Sequence, residues 1–266
     1  MLRNTLVFLL LIFPCLLSGQ TVTRTDSLGA QFTTALLSPQ ELAIALCNDL
    51  DSEYDKARII FSWLAHHITY DLEAARNSRP ERILYRTQAE LEKLLAQRKR
   101  ARMRTALRDR KGVCEDYSEL YVAMCQAVGL AAGKIDGYVV HHPDKMGRQP
   151  LTSNHVWNWV TIEGRKCLVD ITYAAGATDW SGTAFRQKYD PVWFDVSPEI
   201  MVQTHYPEQS AEQLLAQPLT GKEFAALPFF FARSARYTIT DWSPQRGIIR
   251  RADATELSLH FGRKPL

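Results

Sequence analysis

Two stretches of the chain repeat apolar residues at helical spacing, and a later region repeats them at strand spacing. Ala57, Ile60, Phe61 and Leu64 share one face of a helix over residues 55–67, the pattern of an amphipathic helix laid on a core. Tyr117, Leu120, Tyr121, Met124, Cys125 and Val128 do the same over 114–128, with Gly129 as a stop. A shorter apolar stretch, 42–50, led by Ser38-Pro39, predicts another helix, and 81–111 reads as a strongly charged one. Ile68-Thr69-Tyr70-Asp71 reads as a turn or short strand. Then the period changes. Residues 135–140, 155–162 and 166–171 are short, rich in β-branched and aromatic residues, and separated by Pro- and Gly-containing loops. Helices first and strands afterwards predict an α+β domain with an antiparallel sheet.

Beyond about residue 180 the chain turns to Trp-, Tyr- and Pro-rich loops, with strand patterns at 237–241 and 256–261. This reads as a small β-rich extension. The N-terminus has its own pattern: Arg3, an apolar run from Leu6 to Leu17, then Ser18-Gly19. A basic residue, about a dozen apolar ones and a small-residue end describe a secretory leader. The run is shorter than the roughly 20 residues a membrane span needs. The expected division is a signal peptide (1–19), an N-terminal helical segment (20–50), a core (51–180) and a partly β C-terminal extension (181–266). Export to the periplasm or the extracellular space follows from the leader.

Composition adds little. Of 266 residues, 46% are hydrophobic and 23% charged, and the formal net charge is +3, which gives no whole-chain case for a nucleic-acid partner. The charge is uneven: 98–111 holds eight basic residues and one acid, Asp109. With no interleaved aromatics to stack on bases, a solvated helix face is the plainer reading than a basic adaptor surface. Once Cys15 leaves with the leader, Cys47, Cys114, Cys125 and Cys167 remain, without C-x-x-C spacing. That pattern indicates neither a zinc site nor a disulfide framework. His141-His142 is no metal pair either, because adjacent strand residues point to opposite faces. No metal or organic cofactor is expected.

The candidate chemistry lies in three segments: 112–117 (GVCEDY), 154–159 (NHVWNW) and 168–173 (LVDITY). Cys114 opens a helix, where the dipole and unpaired amides favour a thiolate, the nucleophilic species. Glu115 and Asp116 oppose that effect, so an imidazole is needed to complete activation. His155 is the candidate base and Asp170 the group that orients it. The register supports the second pairing. Glu163-Gly164 reads as a two-residue hairpin turn, so Ile162 pairs with Arg165 and paired numbers sum to 327. His155 then lies opposite Thr172, with Asp170 on the same face as its diagonal neighbour, about 7–8 Å away along the backbone. A three-residue turn would put them on opposite faces. Taken singly, each residue is more often structural; the order and register of the set carry the argument. Cys125, roughly 16 Å further along the helix at 1.5 Å per residue, reads as inert core.

These blocks, together with Val160 and the run from Glu163 to Gly176, resemble the three signature segments of the transglutaminase-like superfamily. The lead-in at 68–71, Trp193-Phe194-Asp195 and Thr204-His205-Tyr206-Pro207 resemble the branch that includes the kyphoscoliosis peptidase and its bacterial relatives. The resemblance covers roughly 51–230. It implies a papain-like fold and a Cys-His-Asp triad, here Cys114, His155 and Asp170, for acyl transfer on peptide or protein amides through a thioester. It leans toward hydrolysis over crosslinking. Tyr173 stands where Trp is common, and Lys166 where an aromatic is common; both bear on the pocket wall. Asn154, Trp157 and Tyr173 are the candidates for touching substrate. The amide of Cys114 and, from its position upstream, Gln88 are candidate oxyanion donors. The rival class is a non-catalytic binding or scaffold module that keeps the fold.

Overall fold

The structure is a computed structural model that describes residues 18–33, 38–77, 83–149, 152–179, 181–237, 239, 241–243, 246–247 and 260–262. Residues 1–17, most of the expected leader, lie outside these. The N-terminal half is helical: α1 (Ser18–Gln31), α2 (Pro39–Cys47), α3 (Glu53–His67), α4 (Leu72–Asn77), α5 (Gln88–Asp109) and α6 (Cys114–Ala127). Between them, β1 (Thr69–Tyr70) pairs in parallel with β2 (Lys111–Gly112), joining Tyr70 to Gly112 just before Cys114.

The sheet follows. Its strands are β3 (Ala132–Val139), β4 (His155–Ile162) and β5 (Arg165–Val169). After α7 (Ile171–Ala175) and a small ladder of β6 (Gly176–Thr178) with β7 (Phe185–Gln187) come β8 (Phe194–Val196), α8 (Pro198–Met201) and β9 (His205–Pro207). The main sheet has the order β8-β5-β4-β3-β9, antiparallel at every pairing. Helix α9 (Gly221–Ala226) and a ladder of β10 (Asp241–Ser243) with β11 (His260–Gly262) complete the described chain. The segment after 180, expected as an extension, therefore supplies both edges of the core sheet. Of the two late strand patterns, 241–243 and 260–262 form the ladder; much of the remainder lies outside the described residues.

The hairpin register is the one expected. Ile162 pairs with Arg165 and Asn158 with Val169, so paired numbers sum to 327. Glu163 and Gly164 both have positive φ, 51° and 79°, as a turn matching the strand twist requires. One expectation changes. Strand β5 stops at Val169, at an irregularity in its pairing with β8, rather than running to 171. Asp170 instead caps α7, its side chain accepting the Tyr173 amide. An aspartate's short acceptor competes with the ladder for backbone donors, which makes it a helix starter.

The helices that frame the site are held by burial and by a few directed bonds. In α6, Tyr117, Leu120, Tyr121, Met124 and Cys125 are completely buried, each burial contributing about 1.5–3 kcal/mol. The Tyr117 hydroxyl donates to the Ile68 carbonyl at 2.5 Å. Ser118 Oγ donates to the Val156 carbonyl at 3.2 Å, and Asn158 Nδ2 donates to the Ser118 carbonyl at 3.2 Å. These bonds tie the helix that carries Cys114 to the strand that carries His155. Helix α1 has no apolar stripe; its Asp26 grips Arg58, itself only 2% exposed, through two bonds of 2.7 and 2.8 Å. At Gly137, opposite both His155 and Pro207, a Cβ would collide with Trp157 and the β9 backbone. A glycine there lets β9 approach closely.

Candidate active site

Cys114 occupies the first turn of α6, partly exposed, after the extended Val113. Its flanking acids are neutralised locally. Asp116 accepts the Val113 amide at 2.9 Å and pairs with Arg102 at 2.8 Å; Glu115 pairs with Lys134 at 2.5 Å. Lys99 pairs with Glu119 in the same way. Part of the basic run on α5 thus serves as counter-charge to the acidic start of α6, and the thiolate that the helix terminus favours is spared much of their repulsion.

His155, 6% exposed at the start of β4, sends Nε2 to Asp170 Oδ2 at 2.6 Å. The other carboxylate oxygen accepts the Tyr173 amide at 2.9 Å. Burial acts against a charged ring at 155, but the charge and hydrogen bond of Asp170, with a contribution from the Cys114 thiol, outweigh it and raise the His155 pKa to about 10. At Asp170, burial pushes upward, yet His155 and then His205 pull the carboxyl well below its usual range. The pair is an imidazolium and a carboxylate at neutral pH. With Nε2 held by Asp170, Nδ1 is the nitrogen the carboxylate does not engage, and the nearby Cys114 thiol adds to the basicity of the ring.

The other cysteines of the described residues are buried, where Cys114 is partly exposed. Burial pushes Cys47 and Cys167 up to about 12, and Cys125 higher still. All are free thiols, and at neutral pH these three are protonated and inert.

The remaining candidates divide. Tyr173, partly buried, lies with its ring centroid 5.3 Å from that of His155 and 4.9 Å from that of Trp193, and so lines the site. Trp157 stacks on His155 at 6.0 Å but is only 1% exposed; it supports the ring from the core side. Asn154 spends its amide on β3, accepting the Val139 N–H at 2.8 Å and donating to the Val139 carbonyl at 3.2 Å. It anchors the entry to β4. Gln88 sits on the exposed start of α5 with its amide on Glu92. Lys166 lies over the Trp159 ring at 4.4 Å, a cation–π contact. His142 bonds to Asp144 at 2.7 Å in a local turn.

One residue of the cluster was not among the sequence candidates. His205, from β9 and 1% exposed, places Nε2 3.0 Å from Asp170 Oδ2. Its stretch, 204–207, was singled out only as a resemblance. The ligand-type atoms of His155, Asp170 and His205 all lie within 4.8 Å of one another. Their 2.6 and 3.0 Å separations are hydrogen bonds, whereas two ligands of one tetrahedral zinc stand about 3.3 Å apart. The three residues share protons rather than frame a cation.

A cavity of about 440 Å³ is walled by Tyr70, Glu73, Arg76, Lys111 and Phe185, among others. Lys111 lies three residues before Cys114, and Tyr70 pairs with Gly112, so this hollow adjoins the strand that leads into the thiol. Among the described residues no helix is long and apolar enough to cross a membrane.

Residues 40–171 match the sequence profile of the Transglutaminase-like superfamily. The kyphoscoliosis peptidase of Mus musculus is 28% identical over 185 residues, 69% of this chain and 25% of that protein. Its Homo sapiens counterpart is 27% identical over 196 residues, 73% and 27% respectively. The chain spans about a quarter of the length of these relatives. A solved TGase structure aligns with a TM-score of 0.33 and 17% identity, over 66% of this chain and 37% of that one. Cys114, His155 and Asp170 all fall inside the 40–171 match; His205 falls outside it. The match places a transglutaminase-like superfamily domain at residues 40–171, within an α+β core of helices on an antiparallel sheet.

Proposed function

We propose that the protein is an exported cysteine-dependent acyl-transfer enzyme that acts on carboxamides of peptides or proteins. The observation that carries the reading is the buried His155–Asp170 bond of 2.6 Å, which leaves Nδ1 of a strongly basic imidazole for the helix-terminal thiol of Cys114. The Cys114 thiolate attacks the carbonyl carbon, and its own backbone amide, one of the donors a helix start leaves without an intrahelical partner, stabilises the oxyanion. His155 gives the Nδ1 proton to the departing amine, and a thioester remains on Cys114. Water, or a second amine, then gives up a proton to Nδ1 as it attacks the thioester, and the acyl product leaves as the Cys114 thiolate and the imidazolium are restored. The cavity next to the strand that leads into Cys114 takes part of the substrate, with Tyr70 and Phe185 as its aromatic surfaces. Hydrolysis is the favoured outcome, supported by relatives named as peptidases.

The test incubates the chain with a mixed protein extract and a fluorescent primary amine. New peptide N-termini that are absent with the Cys114→Ala variant support hydrolysis. Amine incorporation without cleavage would move the reading to crosslinking, and neither product would favour the non-catalytic scaffold. Export rests on the leader pattern at 1–19; the secreted chain is expected to begin at Gln20, and a retained Met1 on intact mass would contradict it.

A further inference from the structure

Asp170 carries one bond more than the orientation of His155 requires. Its Oδ1 is occupied by the Tyr173 amide, and Oδ2 meets two ring nitrogens, His155 Nε2 at 2.6 Å and His205 Nε2 at 3.0 Å. A carboxylate is acceptor-only, so each of those nitrogens carries a proton. Burial keeps His205 neutral despite the nearby carboxylate, which makes it the Nε2–H tautomer. Its Nδ1 lies 2.7 Å from the Thr204 hydroxyl, and the Met201 backbone is a further polar partner of the ring. His205 and Thr204 are 1% and 4% exposed, so both ring nitrogens are satisfied in a dry site.

Packing alone does not call for an imidazole here. The ring sits among Trp157, Tyr173 and Trp193, with centroids 5.0, 4.9 and 5.5 Å away, and an apolar ring would fill the same space without burying polar atoms. What an imidazole adds is a donor aimed at Asp170. We propose that His205 is a positioning residue that shares the Asp170 carboxylate with His155 and so loosens the hold of that carboxylate on the His155 proton. The proposal rests on the reading of Cys114, His155 and Asp170 as the reacting set. A hydrogen bond to a carboxylate stabilises its charged form and makes it a weaker base. Without that second donor, Asp170 would bind the His155 proton more tightly, and an over-basic imidazolium is a poorer acid toward the departing amine. The titratable groups facing His155 are Cys114 of α6, Asp170 and Tyr173 at α7, and His205 of β9; Tyr70 of β1 faces Cys114 and Asp170 from outside.

The experiment needs no substrate. Iodoacetate is an anion, so it alkylates a thiolate fastest while the neighbouring imidazole is still a cation. Its rate at Cys114 therefore falls again as His155 loses its proton, and the alkaline limb reads that loss. With the full chain, His205→Phe is expected to move this limb upward by about one pH unit. His205→Gln, which keeps an N–H donor, is expected to return it to within about 0.3 unit of wild type. If the folded His205→Phe variant shows the wild-type limb, His205 merely packs and the proposal falls. Should that variant not fold, Thr204→Val, which keeps the ring and removes the hydroxyl from Nδ1, is expected to shift the limb by about half as much; an unmoved limb there overturns the proposal equally. A wild-type profile with no alkaline limb would instead fault the underlying assignment of Cys114 and His155, and the role of His205 with it.

Discussion

Cys114→Ala is expected to give a folded protein whose acyl-transfer rate drops to background, a loss on the order of 10⁴–10⁶-fold. The fold survives because the thiol is partly exposed and caps nothing; α6 is held by its buried face and by the bonds of Tyr117 and Ser118. The rate does not survive, because a methyl group forms no thioester and the other cysteines cannot substitute. Cys47 and Cys167 are buried thiols pushed up to about 12, and Cys125 lies in the core. Product formation from whichever carboxamide the extract assay yields, compared between wild type and variant at matched thermal stability, checks this.

Asp170→Asn is the second large effect, and it acts on both rate and stability. Both ring N–H groups now point at Oδ2, and the Tyr173 amide points at Oδ1. An asparagine has one oxygen and one NH₂, so at least one donor meets another donor. The simplest relief is for His155 to lose its Nε2 proton and keep one on Nδ1. That tautomer cannot accept the Cys114 proton, and turnover is expected to fall about 10³–10⁴-fold. The lost bonds are expected to cost about 1–3 kcal/mol of stability. The pH dependence has a definite sign. His155 is raised to about 10 in the folded protein from an unfolded value of about 6.5. Its contribution is fully present below about pH 6.5 and is lost as pH rises toward 10. The stability gap between wild type and Asp170→Asn should therefore be widest near pH 6 and narrow steadily toward pH 10 in urea denaturation. A gap that widens with pH would contradict the ion-pair account.

Much of the site is legible in the residues because its central parts are local. A helix opening at Cys114 follows from the stripe of Tyr117, Leu120, Tyr121 and Met124. The facing of His155 and Asp170 follows from a two-residue turn whose two positive-φ residues hold the register. What the pattern hid was structure made by tertiary contact. Asp170 reads as a strand residue by its β-branched neighbours, yet its side chain captures the Tyr173 amide and starts a helix. Strands β8 and β9, three residues each, are too short to show an alternation, so periodicity does not reveal the edges of the sheet; only the family resemblance of 193–195 and 204–207 marks those stretches. Helix α1 lacks a stripe and depends on the buried Asp26–Arg58 pair. Most basic residues of α5 do form a solvated face, while Lys99 and Arg102 also reach Glu119 and Asp116 on the next helix, partners the sequence pattern does not reveal.

The relation between one sulfur and one imidazole is most directly tested by the rate at which iodoacetamide modifies Cys114 near neutral pH, followed by peptide mass in wild type and His155→Ala. The account predicts that Cys114 is modified faster than a free thiol, that Cys47, Cys125 and Cys167 are left unmodified, and that the rate falls at least about tenfold in the variant. A Cys114 that reacts no faster than a free thiol, or at the same rate with and without the ring of His155, would contradict it.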